Sequence, residues 1–207
     1  MSYYNFFNHL SKVSKSGDKI ILGNAGFHAI IGWQSFHSKK NQKIFNEIGA
    51  GCMGHSLPSS IGSSIAINNS KVICVTGDGG IQVNIQELQT IKTYNLPIKI
   101  FIMVNGGYMS LVNTQKNYFD GRTIGSDSQS GFKIPNLEKI VKAYGFKFNT
   151  ILNNDELNKK IKQNLNYKNS FVSIIYCAPS QKLTPCVPTT LLKGGRMISS
   201  ALDNQKD

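Results

Sequence analysis

The stretch that most constrains this chain is Lys71 to Tyr108, KVICVTGDGGIQVNIQELQTIKTYNLPIKIFIMVNGGY. It opens on a short apolar run, Lys71 to Thr76, rich in β-branched residues and stopped by glycine, which predicts a buried strand. Gly77-Asp78-Gly79-Gly80 follows: the glycines let backbone N–H groups approach an anion, and Asp78 offers hard oxygen ligands to a divalent cation. Asn84 to Tyr94 then carries helical spacing at Ile85, Leu88 and Ile91, and Asn95-Leu96-Pro97 breaks it. A second buried strand, Ile98 to Val104, ends in Asn105-Gly106-Gly107-Tyr108. Both strands of a right-handed βαβ unit finish on the same edge, so an amide oxygen and a glycine carbonyl are expected beside Asp78. The unit therefore predicts a metal and phosphate site built from two adjacent loops.

The GDG with an asparagine 27 positions after its aspartate resembles the thiamine-diphosphate motif of the acetolactate synthase and pyruvate decarboxylase superfamily. The resemblance implies Mg²⁺ held by Asp78, Asn105 and the backbone carbonyl of Gly107, with Gly77, Gly79, Gly80 and Tyr108 around the cofactor. Val104 departs from the pattern, because many relatives have a second asparagine there. The segment Gly49-Ala50-Gly51-Cys52-Met53-Gly54-His55-Ser56-Leu57-Pro58 is similar to a GxGxMGxxLP segment of acetolactate synthase-like enzymes. By that likeness Met53 props the cofactor in a bent conformation and Gly51 presents its carbonyl to the aminopyrimidine. Read without the likeness, Gly49, Gly51 and Gly54 also spell GxGxxG, a weak pointer to a nucleotide site, and Met53 reads rather as a core methionine at a helix start.

Ahead of these motifs, Tyr4 to Val13 has a helical apolar stripe at Phe6, Phe7, Leu10 and Val13, and Lys19 to Leu22 reads as a short strand. The loop Gly23-Asn24-Ala25-Gly26 lies where α/β proteins place ligands. His28, just after it, either donates to a phosphate, as in some relatives, or is a packed or solvated histidine. Gln34 aligns with a glutamine of other relatives, whereas Phe27 replaces a polar residue. A polar loop at Ser38 to Gln42 precedes Lys43 to Asn46, and Phe45 to Ile48 makes a poor strand. A small-residue helix is expected over Ser59 to Asn68.

Downstream, Tyr108 to Tyr118 reads as a helix able to cover the metal, and Thr123 to Gly131 as a polar loop of the kind that forms a mobile rim over a site. A helix through Leu137, Ile140, Val141 and Tyr144, a strand over Phe146 to Ile151, a lysine-rich helix over Asp155 to Asn164 and a last strand over Ser170 to Tyr176 complete the pattern. Residues 1–178 are thus expected to form one diphosphate-end binding domain. Residues 179–207, with a turn at Lys193-Gly194-Gly195-Arg196 and few apolar positions, are expected to form an arm that needs a partner surface to become ordered. The fold class is α/β, a mostly parallel sheet with helices on both faces.

Composition narrows the function classes. The 207 residues carry a net charge of +12, which raises nucleic acid or an anionic membrane as partners. Arg122 and Arg196 are the only arginines, so the excess is dispersed lysine, and no aromatic-basic motif accompanies it; neither partner is expected. Cys52, Cys74, Cys177 and Cys186 have no paired spacing, which argues against a disulfide framework or a zinc site. With no signal-like start and no apolar run near the ~20 residues that span a bilayer, a reducing cytoplasm is the expected setting.

The resemblance spans Tyr4 to about Leu202 and implies thiamine diphosphate with Mg²⁺ acting on a small 2-oxo acid, by decarboxylation or carboligation. The activating glutamate is then expected from a pyrimidine-binding domain or subunit in a homo- or hetero-oligomer, because none of this chain's 11 acids fits the part. Glu87 keeps an acid found in relatives, but its expected place is in the helix after the phosphate loop. Glu47 is the one that would reach the pyrimidine if the chain worked alone. The competing class is a nucleotide-binding dehydrogenase-like domain or a non-catalytic module with the same fold.

Overall fold

The structure is a computed structural model that describes residues 1–23, 25–47, 49–187 and 189–199. Asn24 and Ile48, together with the tail beyond residue 199 that includes Leu202, Asp203 and Asp207, lie outside the described residues.

Six strands form one parallel sheet: β1 (Lys19–Leu22), β2 (Lys43–Phe45), β3 (Val72–Gly77), β4 (Ile98–Val104), β5 (Lys147–Ile151) and β6 (Phe171–Tyr176), in the order β2-β1-β3-β4-β6-β5. Every side chain of β3 and β4 is buried, as continuous apolar runs in a doubly covered sheet require. The parity of each strand decides which layer it feeds. On one face Ile73, Val75, Phe101 and Met103 pack with α1 (Tyr3–Val13), α2 (Phe27–Ser35) and α8 (Leu157–Asn166) through Phe6, Phe7, Leu10, Ile31, Leu157 and Ile161. On the other, Cys74, Ile100, Ile102 and Val172 pack with α3 (Ser56–Ala66), α4 (Asp78–Val83), α5 (Glu87–Thr93) and α7 (Leu137–Ala143). This is the α/β architecture expected from the sequence.

The chain leaves β1 in one direction to reach β2 and returns on its other side as β3. The crevice above β1 and β3 is therefore a switch point, the place where open parallel sheets receive ligands.

Several local expectations need correction. The helix read over Asn84 to Tyr94 is shorter, α5 at Glu87–Thr93, and a separate helix, α4, occupies the stretch from Asp78 to Val83 that begins in the glycine loop; Asn84, whose φ of −134° and ψ of 42° leave the helical region, ends α4. The Asn84 amide donates to the Gly54 carbonyl at 3.0 Å, a tertiary tie that local periodicity cannot register. The edge strand β2 runs over Lys43–Phe45, ahead of the poor stretch that begins at Phe45, and pairing with β1 satisfies its backbone. The helix α3 begins at Ser56 rather than Ser59, with Pro58 in the first turn where a missing N–H costs nothing.

The segment after β6 is partly docked already. Ala178 N–H donates to the Met1 carbonyl, the Tyr4 hydroxyl donates to the Thr184 carbonyl, and the Gln34 amide donates to the Pro185 carbonyl. Beyond, β7 (Thr189–Leu191) and β8 (Met197–Ser199) form an antiparallel hairpin around the expected glycine turn, with Leu191, Met197 and Ile198 exposed.

Candidate functional site

A cavity of about 240 Å³ opens at the carboxyl edge of β1, β3 and β4, bordered by residues of the 23–28, 51–56, 76–80 and 105–111 segments. Asp78 lies at its floor, 3% exposed, as the first residue of α4. One carboxylate oxygen accepts from the Gly79 amide at 2.9 Å, and the other from the Asn105 and Gly106 amides at 3.0 and 2.9 Å. Burial pushes its pKa above the ordinary carboxylate value, and these amides pull it back. The two loops expected to meet do so through direct hydrogen bonds.

Asn105 is 9% exposed, and its side-chain oxygen is buried with no hydrogen-bond partner. An orphaned carbonyl oxygen costs roughly 1–3 kcal/mol unless something fills its lone pairs. The same residue's backbone N–H donates to the buried Asp78 carboxylate, and an amide oxygen and a carboxylate brought to one cavity are the hard oxygens that suit a divalent cation. Gly107 borders the same cavity. Among the described residues there is no cluster of three His, Cys, Asp or Glu, so a zinc-type site is absent from them. None of the cysteines forms a disulfide.

The glycines earn their positions by packing. A Cβ on Gly79 would stand 2.3 Å from the Tyr108 ring, which lies over the start of α4 and stacks on Phe132 at 4.2 Å. A Cβ on Gly80 would meet only the Thr76 hydroxyl, at 3.3 Å. Gly77 is needed for His28: that ring would come within 2.8 Å of a Cβ there and 2.1 Å of one on Gly23. His28 borders the cavity, and burial lowers its pKa to about 4. It is therefore a packed, neutral imidazole, and any donation to a phosphate is by an uncharged N–H.

Met53 lines the cavity wall. Its loop is shaped by Gly51, with a φ of +60°, and by Gly54, whose missing side chain leaves room for Val83. Glu47 grips the same loop, accepting from the Ala50 and Cys52 amides at 2.6 and 3.3 Å, which holds its pKa below the usual range. That engagement, and its absence from the cavity wall, count against Glu47 as the acid that reaches a pyrimidine. Glu87 does not border the cavity either, and Gln34 is occupied with Tyr4 and Pro185. The GxGxxG glycines follow the edge strand β2 rather than a long central strand, unlike a dinucleotide fingerprint.

Two sets of residues escaped sequence reasoning. Tyr3, buried beneath the cavity, brings its hydroxyl against the Asn105 side chain and the Cys177 thiol. The loop expected as a mobile rim is stapled: Gly107 bridges Asp127, Tyr108 N–H donates to the Ser126 carbonyl at 2.8 Å, and Ser126 Oγ donates to Gln115 at 2.7 Å. These contacts join segments far apart in the chain, and no local spacing announces them.

Comparison with known proteins agrees with the geometry. The family model described as "Thiamine pyrophosphate enzyme, C-terminal TPP binding domain" matches residues 24–175, leaving α1, β1 and the tail outside the match. The chain is 36% identical to the acetolactate synthase large subunit of Porphyra purpurea over 151 residues, 72% of this chain and 25% of that protein. It is 34% identical to the probable acetolactate synthase large subunit of Methanococcus aeolicus over 153 residues, 74% of this chain and 25% of that protein. Against the acetolactate synthase isozyme 3 large subunit of Escherichia coli (strain K12) the identity is 33% over 150 residues, 72% of this chain and 25% of that protein. The matched region thus spans about a quarter of the length of these relatives. With the matched region covering all of the cavity lining but Tyr3 and Gly23, and the strands from β2 into β6, the chain belongs to the thiamine pyrophosphate enzyme family, as a C-terminal cofactor-binding domain of the acetolactate synthase type.

Proposed function

We propose that this chain binds the diphosphate end of thiamine diphosphate through a Mg²⁺ ion, as part of an acetolactate synthase-like enzyme acting on a small 2-oxo acid. The observation that carries the reading is the unpartnered, buried side-chain oxygen of Asn105, a residue whose backbone N–H is bonded to the buried Asp78 carboxylate. Asp78 supplies charge, Asn105 a neutral oxygen and Gly107 a backbone carbonyl, leaving positions for water and phosphate oxygens around an octahedral ion. Gly80, in the first turn of α4, has an N–H with no acceptor inside that helix and is free to face an anion. His28 contributes a neutral donor, and Gly77 and Gly79 keep the approach to the diphosphate open. Met53 presses the bound molecule from the other wall, and Tyr108 walls the floor. Thiamine diphosphate, once bound, supplies the carbanion chemistry of decarboxylation or carboligation; the protein holds and orients it.

The cavity also supports the need for a partner. At about 240 Å³ it falls below the ~300–1,000 Å³ usual for a whole small-molecule site, which suits one end of an elongated cofactor. Among the described residues Asp78 is the sole carboxylate on its wall, and a metal ligand cannot double as the acid that activates an aminopyrimidine. The reading therefore includes a pyrimidine-binding domain or subunit, in a homo- or hetero-oligomer. Residues 1–178 are its cofactor domain and residues 179–207 an arm. No helix among the described residues is long and apolar enough to cross a membrane.

The test is calorimetric titration of thiamine diphosphate with Mg²⁺ present. Asp78→Ala and Asn105→Ala are each expected to weaken binding at least about tenfold, the lower end of what loss of an oriented metal contact costs, with unchanged circular dichroism. Equal affinity in wild type and both variants would sink the metal assignment.

A further inference from the structure

We infer that Gln115 and Ser126 aim the Gly107 carbonyl and thereby make the loop select a small Mg²⁺-sized cation over Ca²⁺; the inference rests on the metal reading proposed above. The argument begins with the peptide joining Gly107 to Tyr108. In a trans peptide the N–H and C=O point in opposite directions. Tyr108 N–H donates to the Ser126 carbonyl at 2.8 Å, so the Gly107 carbonyl is turned away from the 124–132 loop. A side chain on Gly107 would stand 2.5 Å from that same Ser126 oxygen, which is why this approach needs glycine.

Ser126 is in turn immobilised. It is fully buried, its Oγ donates to Gln115 Oε1 at 2.7 Å, and its N–H donates to Ser130 Oγ at 3.0 Å. Gln115 projects from α6 (Met109–Tyr118) and clasps Ile124, two residues before Ser126, in both directions. Its Nε2 donates to the Ile124 carbonyl at 3.1 Å, and its Oε1 accepts from the Ile124 amide at 3.3 Å. Asp127 closes the turn by accepting from the Ser130 N–H and Oγ at 2.9 and 2.7 Å. On the opposite side Asp78 holds the Asn105 and Gly106 amides. The peptide that would carry the third protein ligand is therefore fixed from two directions.

Such rigidity has a chemical consequence. Mg²⁺ demands near-ideal octahedral geometry at ~2.0–2.1 Å, while Ca²⁺ accepts irregular coordination at ~2.3–2.6 Å. A carbonyl held in one orientation suits the first ion, and a carbonyl set loose penalises it more than the second. Gln115 and Ser126 do not line the cavity; they are positioning residues.

The test titrates thiamine diphosphate into the full chain with Mg²⁺ and, separately, with Ca²⁺, for wild type, Gln115→Ala, Ser126→Ala and the double variant. Each single change is expected to weaken Mg²⁺-supported binding about tenfold, within the range for outer-shell partners of a metal site. Ca²⁺-supported binding is expected to change by less than about threefold, and the double variant to be no worse than the weaker single, because the two residues act as one relay. Thermal unfolding without cofactor identifies any variant that simply loses its fold; the more exposed Gln115→Ala then carries the comparison. Equal losses with both ions, or no loss with either, would overturn the inference. Asp78→Ala run in parallel separates the two claims: if it leaves Mg²⁺-supported binding intact, or if wild type shows no such binding, the metal reading itself falls.

Discussion

At the residue scale, His28 carries an acid-sensitivity that the loop motif does not suggest. Its pKa in the fold is about 4, lowered from 6.5 by burial alone. Between those values the unfolded chain binds a proton that the folded chain refuses, so stability falls as pH drops from about 6.5 to about 4 and is unaffected above that window. A shift of this size corresponds to roughly 3 kcal/mol. Urea unfolding of wild type and His28→Gln at pH 7.5 and at pH 4.5 checks this: wild type is expected to lose more stability than the variant on acidification. The meeting of Asp78 with the Asn105–Gly107 loop was legible in the sequence because two strand ends locate it, whereas the place of Met53 on the cavity wall was expected only from the family resemblance. The neutrality of His28 was not, because it depends on the Gly23 and Gly77 surfaces against which the ring is packed.

At the scale of elements, the junction of β3 and α4 separates glycines that look equivalent in sequence. Gly79 admits no side chain without displacing the Tyr108 ring, whereas Gly80 meets a single hydroxyl at 3.3 Å. Gly79→Ala is expected to weaken cofactor binding at least about tenfold, and Gly80→Ala by less than about threefold, since alanine keeps the backbone N–H and its Cβ meets a single hydroxyl. Calorimetry on the two variants checks the contrast. The buried strands β3, β4 and β6 were readable from their continuous apolar runs, and α1 and α7 from their stripes. The edge strand β2 and the break between α4 and α5 were not, because both are decided by neighbours: β2 by its register with β1, the break by the Asn84 bond to Gly54. The rim loop misled for the same reason, since its polar composition matches a mobile segment while its hydrogen bonds tie it to α6 and Gly107.

At the scale of the whole molecule, the chain is expected to show no decarboxylation of pyruvate or other 2-oxo acids when purified alone, and to gain it when a pyrimidine-binding chain is added. A coupled assay of CO₂ release before and after addition checks this; substantial turnover by the isolated chain would contradict the need for an external acid. The sequence conveyed the layered architecture, and the family resemblance is the source of the proposed pyrimidine-binding partner. The docking of residues 184 and 185 onto α1 and α2 was not legible, because it uses single polar contacts from Tyr4 and Gln34. One further feature gives this experiment an optical channel. Trp33 is the single tryptophan and stands 47% exposed on α2, the helix whose first turn borders the cavity. Its indole emission belongs to one place on the surface. A subunit that covers the outer side of α2 shifts that emission to the blue, and one that docks elsewhere leaves it unmoved. Assembly is thus followed by colour in the same cuvette as CO₂ release, and association without turnover becomes a distinguishable result.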